Sequence, residues 1–260
     1  MSRKLVLTAT TVMLPLLLAA APALAWGPAK PPAPAPAPAS AKPDFGKANA
    51  QDRAAAERLD PLSRAAFWAS QVDADPKDAE AGVRLAAALR TIGRYQEASD
   101  AAEAVLLTQP NNVEALLEAA RAAISDNQGF FAVDPARKAM VIAPRDWRGA
   151  SLLAVGLAQA GRSAEAKAAH TQALMLAPDN PTVLSNAAMF YAAEGDVARA
   201  ETLLRKAAGL PGAGLQVRQN LALVLGLQGK LAEAEQLQRQ DLPPQMAANN
   251  LAYLKAASGK

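Results

Sequence analysis

His170 is the only imidazole in the chain, and cysteine is absent. One His and no thiolate leave too few donors for a metal centre of the usual His or Cys kind within one chain. The lack of Cys also excludes a thiol nucleophile, a disulfide framework and a lipid-modified N-terminal Cys. No serine lies in a G-x-S-x-G elbow, and no phosphate-binding loop of the G-x-x-x-x-G-K-[ST] kind occurs. Gly209, Gly212 and Gly214 cluster about Leu210-Pro211 with no preceding strand, and read as a loop. Acidic residues such as Glu233 and Glu235 read as solvated helix faces, with no acid–base pair among them. The methionines are scattered singly, as core filler is. His170 itself reads as a packing residue on a helix. The sequence thus predicts no catalytic residue, no metal and no cofactor. The chemistry left is hydrogen bonding: Asn186 and Asn220 lie 34 residues apart. An amide side chain both donates and accepts, so a ladder of Asn can bond the backbone of an extended peptide.

The composition says which elements must carry such residues. Of 260 residues, 51% are hydrophobic and only 4% aromatic, and alanine is about a quarter of the chain. Alanine is the best helix former and buries little area, so many closely packed helices are predicted and a β-sandwich or barrel is not. The net charge of +3 includes Arg3 and Lys4. Without these two, 25 basic residues face 24 acidic ones, so there is no excess of the kind nucleic-acid binding requires.

Residues 1–25 have the layout of a cleavable secretory signal. A basic start, Ser2-Arg3-Lys4, precedes an apolar run from Leu5 to Ala20, and Ala23-Leu24-Ala25 supplies the small-residue site. Cleavage after Ala25 would leave Trp26 first. The alternative is an uncleaved membrane anchor, for which the run is short and is interrupted by Thr8, Thr10 and Thr11. Residues 26–50 are a Pro/Ala-rich linker. Their prolines lack an N–H and fix φ, so an extended spacer of polyproline type is predicted. Export followed by a spacer points to the bacterial periplasm.

One period organises the rest. Pro76, Pro110, Pro144 and Pro178 are each 34 residues apart. Gly93, Gly161, Gly195 and Gly229 share that lattice, with Asn127 in the missing place. Two alanine series do so as well: Ala86, Ala120, Ala154, Ala188 and Ala222, and Ala98, Ala132, Ala166, Ala200 and Ala234. Each unit reads as two helices, A and B. In the third, A runs near 148–160, Gly161 turns the chain, and B runs near 163–176. Asp78, Asn112, Asp146 and Asn180 stand where they can cap the A helices. The proline after each B helix ends it. Alanine recurs where the helices cross, because a larger side chain would push their axes beyond about 8–10 Å.

This 34-residue helix–turn–helix with small crossing residues and a closing Pro resembles the tetratricopeptide repeat. The resemblance implies an all-α, right-handed α-solenoid of about five repeats over 75–241. A flanking helix over 51–74, centred on 61–72, and a C-terminal capping helix and tail over 242–260 complete it. The turn of the second unit, Asn127-Gln128-Gly129-Phe130-Phe131, departs from the pattern and is expected to be distorted. In such arrays the A helices line a concave face. The inward candidates are Glu80, Arg84, Arg90, Glu114 and Arg121 in the first two units. The third supplies Arg148, Ser151 and Val155, and the last two supply Asn186, Met189, Asn220, Leu223 and Leu227. The partner-binding groove is assigned to Arg84, Arg121, Arg148, Ser151, Asn186, Met189, Asn220 and Leu223. None of them is Lys, so a clamp for a C-terminal carboxylate is not expected.

The C-terminal half carries a narrower resemblance. Asp146-Trp147-Arg148, the run 180–186, the run 217–229, and Asp241-Leu242-Pro243-Pro244 followed by Ala248-Asn249-Asn250-Leu251-Ala252-Tyr253-Leu254 resemble the TadD-type protein of Flp (tight-adherence) pilus assembly. The resemblance implies a non-catalytic envelope factor that binds pilus or secretin components, or extended peptide segments. Members of that family are commonly lipoproteins, and the missing Cys means that no lipid anchor carries over. A general periplasmic adaptor and a regulatory subunit of an envelope enzyme are the alternatives.

Overall fold

The computed structural model describes residues 48–257, so the segments expected as signal and most of the linker lie outside the described residues. Those described form thirteen helices and no strand. Five pairs follow the 34-residue lattice. They are α3 (Ala79–Thr91) with α4 (Tyr95–Thr108), α5 (Val113–Ser125) with α6 (Gly129–Ile142), α7 (Trp147–Gln159) with α8 (Ser163–Leu176), α9 (Pro181–Ala193) with α10 (Val197–Ala208), and α11 (Leu215–Leu227) with α12 (Leu231–Asp241). Ahead of them stand α1 (Ala50–Ala56) and α2 (Pro61–Ala74), and behind them α13 (Pro244–Ala257).

Local chemistry sets these boundaries. The side chains of Asp78, Asn112, Asp146 and Asn180 each accept a backbone N–H from the first turn of the helix that follows. These bonds satisfy donors that have no partner inside the helix. The A–B turns need one residue at positive φ, which glycine adopts without steric cost. Gly93, Gly161, Gly195 and Gly229 have φ of 80°, 73°, 90° and 76°. Asn127 has φ 57°. The reversal itself keeps its form, and the departure falls at the start of α6, where Phe131 N–H bonds Gln128 C=O three residues back while the other B helices open on a bond four residues back. Asn tolerates the left-handed region, and Gln128 N–H bonds Ala123 C=O as Arg162 N–H bonds Leu157 C=O at the next turn.

The flanks differ from the single helix expected over 51–74. That stretch divides at Asp60, whose side chain caps α2. Helix α2 begins and ends 34 residues before α4, so it is a B helix of the same lattice. Helix α1 occupies the place of its A partner: Arg53 pairs with Asp78 and Glu80, and Glu57 lies 3.4 Å from Arg84. At the other end α13 packs on α11 and α12. A Cβ on Gly226 would stand 2.6 Å from Leu254 Cδ1, so that glycine lets the last helix sit down on α11.

From α2 onward each helix packs on the next along the chain, and successive A helices also touch one another, α3 on α5, α5 on α7, α7 on α9 and α9 on α11. The B helices show no comparable mutual packing. One side of the stack is therefore a continuous wall of A helices, with the B helices splayed behind it. The alanines of both lattice series are fully buried at the crossings.

Two neighbouring junctions are built differently. Between α6 and α7, Gly129 faces Gly156: a Cβ on Gly129 would lie 2.7 Å from Gly156 C=O. One period later Phe190 stands in the place of Gly156, and its ring lies 4.9 Å from the His170 ring. The aromatic pair acts as a wedge between α8 and α9, where the previous junction has none. Gly129→Ala is expected to cost about 1–3 kcal/mol through overpacking against backbone. Urea unfolding measures it, and a loss below about 0.5 kcal/mol would contradict the close crossing.

Candidate functional site: the wall of A helices

Rows of equivalent residues, one per repeat, run across the A helices. The row of Arg148 reads Glu80, Glu114, Arg148, Thr182, Gln216. That of Leu152 reads Arg84, Glu118, Leu152, Asn186, Asn220. The row of Val155 reads Ala87, Arg121, Val155, Met189, Leu223, and that of Ala158 reads Arg90, Ile124, Ala158, Ala192, Gly226. Every charge in these four rows falls at or before Arg148.

Each of those charges is engaged in an ion pair. Arg84 meets Glu57. Glu118, with little of its side chain exposed, takes Arg90 Nε at 3.0 Å on one oxygen and Arg121 on the other. Arg148 lies 2.6 Å from Asp146 and 2.7 Å from Glu114 of the preceding A helix. Asp146 and then Glu114 raise the Arg148 guanidinium above its ordinary range, and Arg148 in turn holds the Asp146 carboxyl below its own.

Past Arg148 the seam is held by amides and hydroxyls. Asn186 Nδ2 donates to Ser151 Oγ at 3.2 Å, and Asn220 Nδ2 donates to Ser185 Oγ at 2.9 Å. Gln216 Nε2 donates to Asn220 Oδ1 at 2.9 Å. The two serines are buried. The two asparagines are half-exposed, as are Val155, Met189 and Leu223. Met189 and Leu223 also pack on the main core. Of the eight groove residues assigned from the sequence, Arg84 is exposed, Ser151 is buried in the seam, and the other six are half-buried. The structure brings Ser151 and Asn186 into direct contact, and it spreads the remainder along the wall.

Comparison with known proteins bears on what this arrangement is. The tetratricopeptide-repeat family matches residues 157–210. A tetratricopeptide-repeat protein of Parabacteroides merdae superposes with a TM-score of 0.65 at 15% identity, over 80% of this chain and 86% of that one. A thermophilic tetratricopeptide-repeat protein of Thermus thermophilus superposes with a TM-score of 0.60 at 22% identity, over 68% of this chain and 98% of that one. The fold is that of a tetratricopeptide-repeat array. MamA of Desulfovibrio magneticus is similar over 60% of this chain and 89% of its own, at 19% identity and a TM-score of 0.52. Among curated proteins no relative matches the sequence.

Within the tetratricopeptide array His170 has a structural place. Trp68, Ala102, Ala136, His170, Leu204 and Gln238 form one row of B-helix positions, all of them buried. The His170 ring is 1% exposed, and its Nδ1 has no hydrogen-bond partner. Among the described residues no group of three or more His, Cys, Asp or Glu is placed to hold a metal. No helix among them is long and apolar enough to cross a membrane. Two features of the array are absent from the sequence reading. Phe130 and Phe131 are exposed at the start of α6, stacked edge to face at 5.5 Å. On the B-helix side, Lys230 and then Arg205 hold the Glu201 carboxyl down to about 2. The lattice was a signal for both: Arg205 and Glu201 are four apart on one helix, and the place of Phe131 is Glu in the neighbouring units (Glu97, Glu165).

Burial pushes the His170 imidazole from 6.5 down to about 4. In the unfolded chain it takes up a proton near pH 6.5, which the folded chain refuses until about pH 4. Stability is therefore full above pH 6.5 and falls as pH drops through this window, by up to roughly 3 kcal/mol. His170→Leu places the residue that Leu204 already supplies one repeat later. It is expected to flatten the pH dependence of the melting temperature between 6.5 and 4.5; an unchanged slope would contradict this assignment.

Proposed function

We propose that this protein is a non-catalytic scaffold of the bacterial periplasm, which binds protein partners on its A-helix wall during Flp (tight-adherence) pilus assembly or secretion. The observation that carries the scaffold reading is the wall itself. Five A helices touch in sequence and present side chains in rows, with half-exposed donors, acceptors and apolar groups. A surface of that kind recognises an elongated segment by many weak contacts and needs no reacting group. Residues 1–25 supply the export step, and the runs 146–148, 180–186, 217–229 and 241–254 support the pilus-assembly role by their resemblance to the TadD-type family. Help with secretin assembly fits the same reading. Without a lipidated Cys, the protein acts as a soluble factor, or is held through its Pro-rich segment.

Asn186 and Asn220 test this role because their amides reach both the seam and the open face. The double variant Asn186→Ala, Asn220→Ala loses the two hydrogen bonds to the buried serines, each worth about 1 kcal/mol, and the exposed bond from Gln216 on α11. It is expected to melt lower yet cooperatively, to accumulate in the periplasm, and to fail to restore surface pili in a strain deleted for the gene. Full restoration by this variant would count against the wall as the binding surface. Unchanged pili and secretin multimers in the deletion strain itself would reject the pilus role.

A further inference from the structure

The wall changes character at Arg148, and the change says what kind of segment the distal half can hold. Upstream of that residue the rows carry Arg84, Arg90, Glu114, Glu118 and Arg121, each engaged in an ion pair. Downstream, from Ser151 to Leu227, the same rows contain no ionisable residue. They offer instead one apolar step per repeat, Val155, Met189 and Leu223, all half-exposed. Beside two of these steps lie the amides of Asn186 and Asn220.

A charged segment laid on this half would lose hydration and find no counter-charge, which is unfavourable. An uncharged one loses nothing of the kind. The spacing narrows the choice further. Helices in contact lie about 8–10 Å apart, so the apolar steps recur at about that interval. A polyproline-type segment turns once in three residues and advances about 9 Å in doing so. Its every third side chain then meets the next step. In a flat β-strand, side chains three apart point to opposite faces. A polyproline-type backbone also leaves its N–H and C=O groups free of internal hydrogen bonds, and these are what an Asn amide can bond on both sides.

We infer that the C-terminal half of the wall, from Ser151 to Leu227, binds an uncharged partner segment in polyproline-type conformation with an apolar side chain at every third residue. This inference rests on the scaffold reading and adds the chemistry and register of the partner.

The test uses the full chain and a fluorescein-labelled, terminally blocked peptide of repeated Leu-Ser-Pro triplets, read by anisotropy. Its comparators carry Lys or Glu in place of Leu, or Leu at every second residue. The triplet peptide is expected to bind about tenfold more tightly than each comparator. Its affinity should hold between low and high salt, since no screened charge is involved. Val155→Lys and Met189→Lys should each weaken it about tenfold, and Lys167→Ala, at an exposed position on the B helix α8, should leave it unchanged. Circular dichroism confirms that the variants fold, and Val155→Lys, which replaces the half-exposed step outside the main core, keeps the test usable if Met189→Lys does not. Tighter binding of the Lys or Glu peptide, lost with Arg84→Ala, would overturn the inference and leave the scaffold reading standing. Equal binding of the alternating peptide would overturn the register. A peptide copying residues 27–43 that displaces the triplet peptide and binds more tightly would assign the wall to this chain's own segment, and so overturn the inference. No binding by any of these peptides would overturn it too. The scaffold reading falls separately, if the Asn186, Asn220 double variant restores pili in full.

Discussion

A methyl group is the largest side chain that two helices can place at a close crossing, and this chain meets that limit at one place after another. The buried series Ala86, Ala120, Ala154, Ala188 and Ala222 lies on the A helices, and the series from Ala98 to Ala234 on the B helices. Where the approach is closest, even the methyl is gone, as at Gly129 and Gly156. Small residues at a crossing forgo buried area, and a chain so poor in aromatics has little to recover it with elsewhere in one repeat. Its stability must then come from stacking. Each repeat buries its faces on the next, and every A helix ends up touching the A helix one period away. The wall is a consequence of the crossings.

Deviations from the methyl rule shape the wall locally. Phe190 and His170 stand in places that Gly156 and Ala136 hold one repeat earlier. The neutral imidazole suits that buried place, and its charged form would not. The pinched junction between α6 and α7 and the wedged one between α8 and α9 flank the third repeat, where the rows turn from paired charges to amides and apolar steps.

Much of this was legible in the sequence, because the constraints behind it are local. A capping Asp or Asn, a glycine at positive φ and a proline after a helix each act within a few residues. Their repetition at one period fixed the boundaries of five helix pairs, down to the B helix at 163–176. Composition could not show α1. It has seven residues and no apolar periodicity, and it is held by the Asn49 cap and by the ion pairs of Arg53. At the second A–B turn Asn127 supplies the same backbone angle as Gly, and the departure from the pattern is confined to the first turn of α6. The groove residues were named by lattice position alone. Their environments depend on which neighbour each one meets: Ser151 lies under Asn186 of the next A helix, and Arg121 shares Glu118 of its own helix with Arg90 of the A helix before.

If register copying is what builds the molecule, a whole period should be removable. Deleting residues 113–146, which is α5, α6 and the loop after them, places α7 against α4 with the lattice unbroken, and it brings Glu80 to Arg148 where Glu114 stood. Circular dichroism with thermal unfolding is the direct measurement. The account predicts unchanged helicity per residue and one cooperative transition at a lower temperature, with cooperativity lost when only half a period is removed. Non-cooperative melting of the full-period deletion, or equal behaviour of the two deletions, would contradict it.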